Sequence, residues 1–102
     1  MIVRIWRART YKDKINEFEK IMTDLAIPNN RRRSGCLTYI VSKNIETNPP
    51  EIITISIWQD LDSMRELTGE NWKEPTVHPK EAHLIIDKPI VEHYELIDHF
   101  SR

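Results

Sequence analysis

The chain has 102 residues, of which 39% are hydrophobic and 30% are charged, values typical of one folded domain rather than a disordered chain. A formal net charge of −1 gives no basis for a nucleic-acid partner, and the single cysteine, Cys36, excludes an intramolecular disulfide and fits a reducing compartment. The N-terminal segment MIVRIWRART contains no apolar signal-peptide core, and no apolar stretch approaches membrane-spanning length. We therefore expect a cytoplasmic protein without a membrane partner.

The first part of the chain predicts a strand followed by a helix. Residues 1–8 alternate in polarity, as a strand with one aliphatic and one mixed face does. Apolar residues then recur at helical spacing over 15–25. A Thr-x-x-Asp capping box at 10–13 predicts where this helix begins. Pro28 predicts its end, because the residue before a proline is pushed out of helical geometry.

A polar loop over 29–35 leads to a second strand predicted for Cys36–Lys43. Leu37, Tyr39 and Val41 are expected on one face of this strand. The three consecutive arginines of the loop are interpreted as solvated rather than as a phosphate or RNA site. RNA-binding sheets of this kind also need exposed aromatic residues and a basic segment containing glycine.

The stretch over 51–69 predicts a third strand and a second helix, after a hairpin turn over 44–50. Isoleucines in the strand alternate with Thr54, Ser56 and Trp58, which gives one aliphatic face and one polar-aromatic face. Such a strand suggests a sheet that lines something.

Asp60 offers a carboxylate for the helix N-terminus, and Gly69 ends the helical pattern that contains Met64. The chain is then irregular over 70–79, and a short helical piece is predicted over 80–86.

A last strand over 90–97 follows Pro89, so the element order is βαββαβ. This order predicts an α+β, ferredoxin-like fold with an antiparallel sheet, in which the first and third strands are central neighbours. We expect a single domain over 1–97 and a loose C-terminal tail over 98–102.

Both faces of the predicted sheet need cover. The helices must share one side, yet the other side is also apolar, with Val3, Ile5, Leu37, Val41, Ile53, Ile55 and Ile57. A homodimer in which two sheets pack face to face avoids a large exposed patch. The mixed faces would then surround a cavity beside the helices, lined by Arg4, Trp6, Thr54, Ser56 and Trp58.

Two candidate residues, Trp58 and Arg4, have both a structural and a functional interpretation. Trp58 is either a core residue or the wall of a pocket for a flat aromatic ligand. Arg4 either pairs with a carboxylate such as Glu92, or lies exposed, or holds a carboxylate or phenolate of a ligand. Met64 completes the predicted substrate-binding set.

Four histidines, His78, His83, His93 and His99, have spacings that match no metal-ligand motif, so no metal site is predicted. His78 lies where the cavity mouth is expected and is the candidate group titrating near pH 7, against the alternative of a solvated loop histidine. The sequence contains no glycine-rich phosphate loop and no recognisable nucleophilic arrangement. Catalysis would therefore depend on a pocket rather than on a nucleophile.

Several segments resemble small single-domain members of the antibiotic biosynthesis monooxygenase family. They are MIVRIWRART, SIWQDLDSMRELTGEN, VHPKEAHLI and IVEHYELI, with its V-x-H-Y-E pattern. The resemblance implies a dimeric α+β barrel made of two ferredoxin-like protomers, each with a cavity between helices and sheet. Characterised relatives oxidise flat aromatic polyketides with molecular oxygen and no prosthetic group, while others degrade haem.

Residues important in those relatives fall on known positions of this chain. Polyketide oxidases have an asparagine four residues before the strand-end tryptophan, and here those positions are Thr54 and Trp58. The haem-degrading branch uses an asparagine on its first strand and a histidine after its second helix, which correspond approximately to Arg4 and the region of His78.

We therefore predict a cofactor-independent monooxygenase-like protein for a small aromatic, quinol- or polyketide-like substrate, with His78 and Trp58 as catalytic residues. Substrate binding is assigned to Arg4, Trp6, Thr54, Ser56 and Met64. Two alternatives remain, namely a haem-binding or haem-degrading monooxygenase and a non-enzymatic dimeric ligand-binding module.

Overall fold

The computed structural model contains one four-stranded antiparallel sheet with the order β2-β3-β1-β4. Its strands are β1 Ile2–Arg9, β2 Cys36–Lys43, β3 Glu51–Trp58 and β4 Ile90–Glu95. The helices that connect them give an α+β, ferredoxin-like arrangement, as predicted. The central pairing of β1 with β3 is also confirmed, and the last strand is two residues shorter than the predicted 90–97.

The helix after β3, α3, spans Leu61–Thr68 and is bounded as its sequence predicts. The Asp60 carboxylate accepts a hydrogen bond of 2.8 Å from the backbone N–H of Ser63, which satisfies one of the free donors of the first turn. Gly69 follows with a φ of 75°, a conformation that glycine adopts without steric penalty, and it ends the helix.

The helical segment between β1 and β2 is longer than predicted. It consists of α1 (Ile15–Ile21), a π-helical turn (Met22–Ala26) and α2 (Ile27–Arg31), so the prediction that Pro28 ends the helix is wrong. Pro28 lies in the first turn of α2, directly after the wide turn, where its missing N–H leaves no gap in a regular ladder.

The predicted capping box is also wrong. The hydroxyl of Thr10 does not cap the helix but donates a hydrogen bond of 2.5 Å to the carbonyl of Leu84, in a fully buried position. That carbonyl belongs to a short 3₁₀ turn, Ala82–Leu84, inside the segment predicted as helical over 80–86. Both groups of this long-range bond are buried, so leaving either of them without a partner would cost its desolvation penalty.

The register between β2 and β3 shows that the predicted orientation of Val41 is wrong. Val41 lies opposite Thr54, and Tyr39 lies opposite Ser56, so both point toward the helices. An irregularity in pairing between Cys36 and Thr38 sets this register. Val41 therefore packs against the core rather than lying on the outer face, which carries Ile40 instead.

The core lies between the helices and one face of the sheet. Its fully packed members come from β1, β3, the first helical segment and the 3₁₀ turn: Trp6, Ala8, Phe18, Met22, Ile52 and Leu84. The outer face of the sheet has no element packed on it, and it carries Val3, Ile5, Ile40, Ile53, Ile55, Ile57 and Tyr94. None of the helices is long and apolar enough to cross a membrane.

Candidate functional site

A cavity of about 310 Å³ lies between the sheet and the helices. It is bordered by the helical segment around the π turn, by α3, by the inner face of the sheet and by the irregular segment before β4. The residues that line it are Arg4, Trp6, Met22, Leu25, Ala26, Asn29, Asn30, Arg33, Tyr39, Thr54, Ser56, Leu67, Thr76, Val77, His78, Pro79 and Glu81. Mixed apolar and polar walls of this kind are typical of a small-molecule site.

Arg4 is the buried cation of the cavity, with a residue exposure of 3%. Its Nη1 donates to the carbonyl of Trp72 at 2.9 Å and lies 2.7 Å from Nε2 of His93. The predicted ion pair with Glu92 is not formed, because Glu92 lies on the outer face and pairs with Arg7. Nη2 of Arg4 is buried without any hydrogen-bond partner.

The surroundings of Arg4 disfavour further positive charge. Burial lowers the pKa of Arg4 to about 10, so the guanidinium is still charged near neutral pH. Burial and the nearby Arg4 charge both lower the pKa of His93. Because a guanidinium has only donors, Nε2 of His93 must accept, which fixes a neutral histidine with its proton on Nδ1.

Glu81 is the buried carboxyl group of the cavity, with a residue exposure of 6%. Desolvation raises its pKa, and the hydrogen bond of 3.0 Å that one carboxylate oxygen accepts from the backbone N–H of His78 opposes this shift. No cation forms a salt bridge with this carboxylate. A carboxyl with a raised pKa beside a cavity is suited to accept a proton near neutral pH.

Two further polar groups on the lining lack partners. The side-chain amide of Asn30 donates to the carbonyl of Ala26 at 2.8 Å, while its Oδ1 is buried without a donor. Arg33 donates through Nη1 to the carbonyl of Glu66 at 2.9 Å, while its Nε is buried without an acceptor. Buried polar groups without a partner are rare in folded proteins, so these two atoms mark the lining as unusually polar.

Aromatic and hydroxyl side chains complete the wall. The indole N–H of Trp6 donates to the carbonyl of Thr76 at 2.9 Å, which holds the ring against the edge of Phe18. Burial raises the pKa of Tyr39 to about 12, so its hydroxyl is protonated near neutral pH. Thr54 adds a second hydroxyl, at 5% exposure.

The structure brings together five of the seven residues assigned to the site from sequence, namely Arg4, Trp6, Thr54, Ser56 and His78. The other two, Trp58 and Met64, are fully buried and do not line the cavity. The indole of Trp58 donates to the hydroxyl of Ser56 at 2.9 Å, so it packs in the interior and orients a cavity residue rather than contacting the cavity itself.

Sequence reasoning missed Glu81, Asn30 and Tyr39. Glu81 falls in a predicted helical piece, where a carboxylate is expected to face water, and Asn30 falls in a predicted polar loop. Both are buried only because of tertiary contacts. Tyr39 could have been assigned to the cavity from the alternation of β2 together with the strand register, because the register places it on the inner face opposite Ser56.

The lining residues do not fit a haem or a metal ion. No group of three or more His, Cys, Asp or Glu side chains lies close enough to hold a metal. Nδ1 of His78 accepts from the backbone N–H of Lys80 at 3.1 Å. An iron-binding histidine normally donates through the ring nitrogen that does not hold the metal, so His78 has the wrong tautomer to bind iron through Nε2.

Comparison with known proteins identifies the family of this chain. The sequence profile described as antibiotic biosynthesis monooxygenase matches residues 1–71, and no curated protein matches significantly. A Nitrosomonas europaea protein and a Deinococcus radiodurans protein, both assigned as antibiotic biosynthesis monooxygenases, superpose with TM-scores of 0.78 and 0.76 at 14% and 16% identity. The matches cover 96% and 100% of this chain and 100% and 98% of theirs.

Rv0793 from Mycobacterium tuberculosis is similar at a TM-score of 0.75 and 16% identity, with 98% of each chain covered. Likeness at these identities shows the fold alone. The profile, by contrast, matches well over half of the sequence and includes β1, the helical segment after it, β2, β3 and α3. The chain belongs to the antibiotic biosynthesis monooxygenase family.

Proposed function

We propose that the protein oxidises a small phenolic aromatic substrate with molecular oxygen and without a prosthetic group. The observation that carries this proposal is the buried Arg4, which lines the same cavity as Trp6 and whose Nη2 has no hydrogen-bond partner in the protein. An unsatisfied buried guanidinium donor favours an anionic oxygen over any neutral group. A phenolate between a cation and an aromatic wall is the activated form that can reduce oxygen directly.

The proposed chemistry divides two tasks between Glu81 and Arg4. Glu81 takes the phenolic proton, and Arg4 stabilises the oxyanion that remains. The electron-rich ring transfers an electron to O₂, the two radicals combine at the ring carbon para to the phenolate, and the hydroperoxide loses water. The phenol and one O₂ give one quinone and one H₂O, so one oxygen atom enters the product and the other leaves as water.

The cavity size supports a ligand of two fused rings. Its volume of about 310 Å³ is twice the roughly 150 Å³ of a cavity that holds benzene. We therefore choose 1,5-dihydroxynaphthalene as the test substrate, since its oxidation by one O₂ gives 5-hydroxy-1,4-naphthoquinone and one water.

The test follows oxygen consumption and quinone absorbance together at neutral pH. The wild-type protein is expected to form one quinone per O₂ above the uncatalysed rate. Glu81→Gln and Arg4→Met should each lower kcat by about 100-fold or more, because they remove the proton acceptor and the oxyanion donor. Glu74→Gln is the matched control, since Glu74 is an exposed carboxylate paired only with Lys88.

The result that would overturn the proposal is a wild-type rate equal to the uncatalysed rate, or full activity in Glu81→Gln. Tight binding without oxygen consumption would identify a ligand-binding module instead. A haem-dependent reaction receives no support from the site, because the tautomer of His78 is set against iron binding.

We further propose a homodimer through the outer face of the sheet. Ile5, Ile55 and Ile40 lie side by side across β1, β3 and β2 on this face, and nothing in the protomer covers them. A second copy of the same face is equally apolar, and a two-fold interface pairs the same surface patch of both subunits.

A further inference from the structure

The irregular segment over 70–79 forms one wall of the cavity, and few bonds hold it there. It contributes to the lining Thr76, Val77, His78 and Pro79. Its backbone makes no hydrogen bond to the backbone of a strand or an α-helix. The salt bridge that ties it to the rest of the chain, Glu74 with Lys88, is exposed, and exposed ion pairs add little stability. Other contacts must therefore keep the wall in place.

Two side chains of β1 supply these contacts. Nη1 of Arg4 donates to the carbonyl of Trp72 at 2.9 Å. The indole N–H of Trp6 donates to the carbonyl of Thr76, also at 2.9 Å. Both donating side chains are buried, so a carbonyl that moved away would leave a buried donor without a partner. The wall is therefore fastened to the sheet by two residues that themselves line the cavity.

His93 completes the attachment without lining the cavity. It lies opposite Arg4 in the register of β4 with β1. Its Nε2 lies 2.7 Å from Nη1 of Arg4, the same nitrogen that donates to the carbonyl of Trp72. A terminal guanidinium nitrogen has two N–H groups, so each of them has one acceptor here. The rings of His93 and Trp72 also pack together, with centroids 4.9 Å apart and planes at 85°. His93 therefore fixes both the donor and the segment that accepts from it.

This arrangement requires a neutral His93. Nε2 must accept from Nη1 of Arg4, so a proton on Nε2 removes the acceptor. It also places an imidazolium beside a guanidinium, and the two positive charges repel each other in a partly buried site. The ring of Trp72 can face a cation, but it cannot replace the acceptor that Arg4 loses. The hydrogen bond from Trp6 to the carbonyl of Thr76 is then the remaining tie between β1 and the wall.

No charge near His93 compensates for this loss. Arg4 is the ionisable group that faces it from β1, and Lys73, on the wall segment, lies over the ring of Trp72. Glu95 follows on the same face of β4, but it is exposed and makes no hydrogen bond to His93. Burial and the Arg4 charge both lower the pKa of His93 from its usual value of 6.5. The neutral form therefore predominates at neutral pH, and the ring becomes charged in mild acid.

We propose that neutral His93 is the positioning residue of this wall: through Arg4 it holds residues 70–79 against the cavity, and its protonation releases the segment and opens the cavity. The segment is then a lid that is closed at neutral pH and open in acid. This goes beyond the proposed function, because it concerns access to the cavity and holds for any molecule bound there.

NMR spectra of the wild-type protein between pH 5 and 8 test the proposal. The amide nitrogen of Lys73 belongs to the same peptide group as the carbonyl of Trp72, so its signal reports the hydrogen bond of that carbonyl. The amide nitrogen of Val77 reports in the same way on the carbonyl of Thr76. The ring signals of His93 should titrate with a midpoint below 6.5, and both amide signals should shift with the same midpoint.

Two substitutions separate the acceptor from its titration. His93→Gln keeps an acceptor without a titratable ring, so the Lys73 signal should stay at its neutral-pH position over the whole range. His93→Leu removes the acceptor, so the signal should lie near the acid position of the wild-type protein even at the alkaline end. His83→Gln is the matched control, because His83 is exposed and contacts Glu17, and it should keep the wild-type transition. If His93→Leu does not fold, the comparison of wild-type protein with His93→Gln decides.

A Lys73 signal that does not change with pH, or that follows a midpoint different from that of His93, overturns the proposal. A transition that persists in His93→Gln does the same, and it assigns the pH dependence to His78 or Glu81, the titratable groups on the cavity side of the wall. A Val77 signal that stays fixed while Lys73 shifts would show that the wall remains closed, and it would also overturn the proposal.

Discussion

Glu81 is a buried carboxyl group whose negative charge makes the folded protein less stable. Its carboxyl is buried, forms no ion pair and has a pKa raised by desolvation. The same shift that weakens the folded state makes the group a better proton acceptor near neutral pH. Stability and catalysis therefore make opposite demands on this residue, and the two can be separated by mutation.

Glu81→Gln is expected to raise the free energy of unfolding at neutral pH. In the wild-type protein, the folded-state pKa of Glu81 lies above the usual value of 4.5, so the unfolded chain loses its proton first as pH rises. Stability is therefore lost between pH 4.5 and the raised pKa. Glutamine keeps an oxygen for the N–H of His78 but carries no charge.

Urea unfolding of both proteins across a pH series checks this expectation. The two unfolding curves should separate as pH rises above 4.5 and converge below it. Glu70→Gln, at an exposed position, should change the free energy of unfolding by about 0.5 kcal/mol or less. A Glu81→Gln protein that is less stable than wild type at pH 7 would contradict the argument.

At the scale of elements, the helical segment between β1 and β2 is organised by its wide turn. The turn, Met22–Ala26, allows Pro28 to continue the helix and brings Asn30 to the cavity. Sequence periodicity alone could not show this, because a π turn carries no apolar pattern of its own and a proline normally marks a helix boundary. The buried position of Asn30 was hidden by the same feature.

The contact between the loop before β2 and helix α3 is a second constraint between elements. A Cβ atom at Gly35 would lie 2.3 Å from the Cβ of Ser63, on the first turn of α3. Gly35→Ala should therefore lower the free energy of unfolding by about 1–3 kcal/mol, as overpacking does elsewhere. Chemical denaturation measures this change.

A double mutant separates the steric cause from a backbone effect. Ser63→Gly removes the opposing Cβ, so Gly35→Ala combined with Ser63→Gly should be destabilised by less than the sum of the two single changes. Ser34→Ala, at the exposed neighbouring position, should be nearly neutral. Strict additivity in the double mutant would show that the two side chains do not compete for space.

At the scale of the whole molecule, alternation along β1 and β3 was sufficient to predict the two faces of these central strands. The side-chain period of two assigns Arg4 and Trp6 to one face of β1, and it assigns Thr54 and Ser56 to the matching face of β3. Because β1 and β3 are neighbours, these four residues had to converge. This part of the cavity follows from local pattern and topology.

The remaining part depends on contacts that local pattern does not encode. Val41 faces the helices rather than the predicted outer side because the pairing of β2 is irregular near its start. Glu81 is buried because its segment forms part of the cavity wall. Trp58 has the correct face but lies beyond the cavity, where the Ser56 hydroxyl takes its N–H. Trp58 is the last residue of β3, and only the packed structure shows that the cavity does not extend to this end of the strand.

The proposed dimer is the property of the molecule as a whole that a single substitution can test. Ile55 lies at the centre of the outer face, between Ile5 and Ile40. In a two-fold interface each substitution occurs twice, so Ile55→Lys would place two like charges in an apolar contact, at a cost of several kcal/mol. In an isolated protomer the same lysine would reach water.

Sedimentation equilibrium distinguishes the two states. Wild-type protein should have twice the chain mass of 12.2 kDa, and Ile55→Lys should sediment as a folded 12.2-kDa monomer with an unchanged circular dichroism spectrum. Asn16→Lys adds the same charge to an exposed helical position and should leave the dimer intact. A monomeric wild-type protein would remove the dimer proposal, and the outer isoleucines would then need a different partner because a lone sheet face of this size is not left in water.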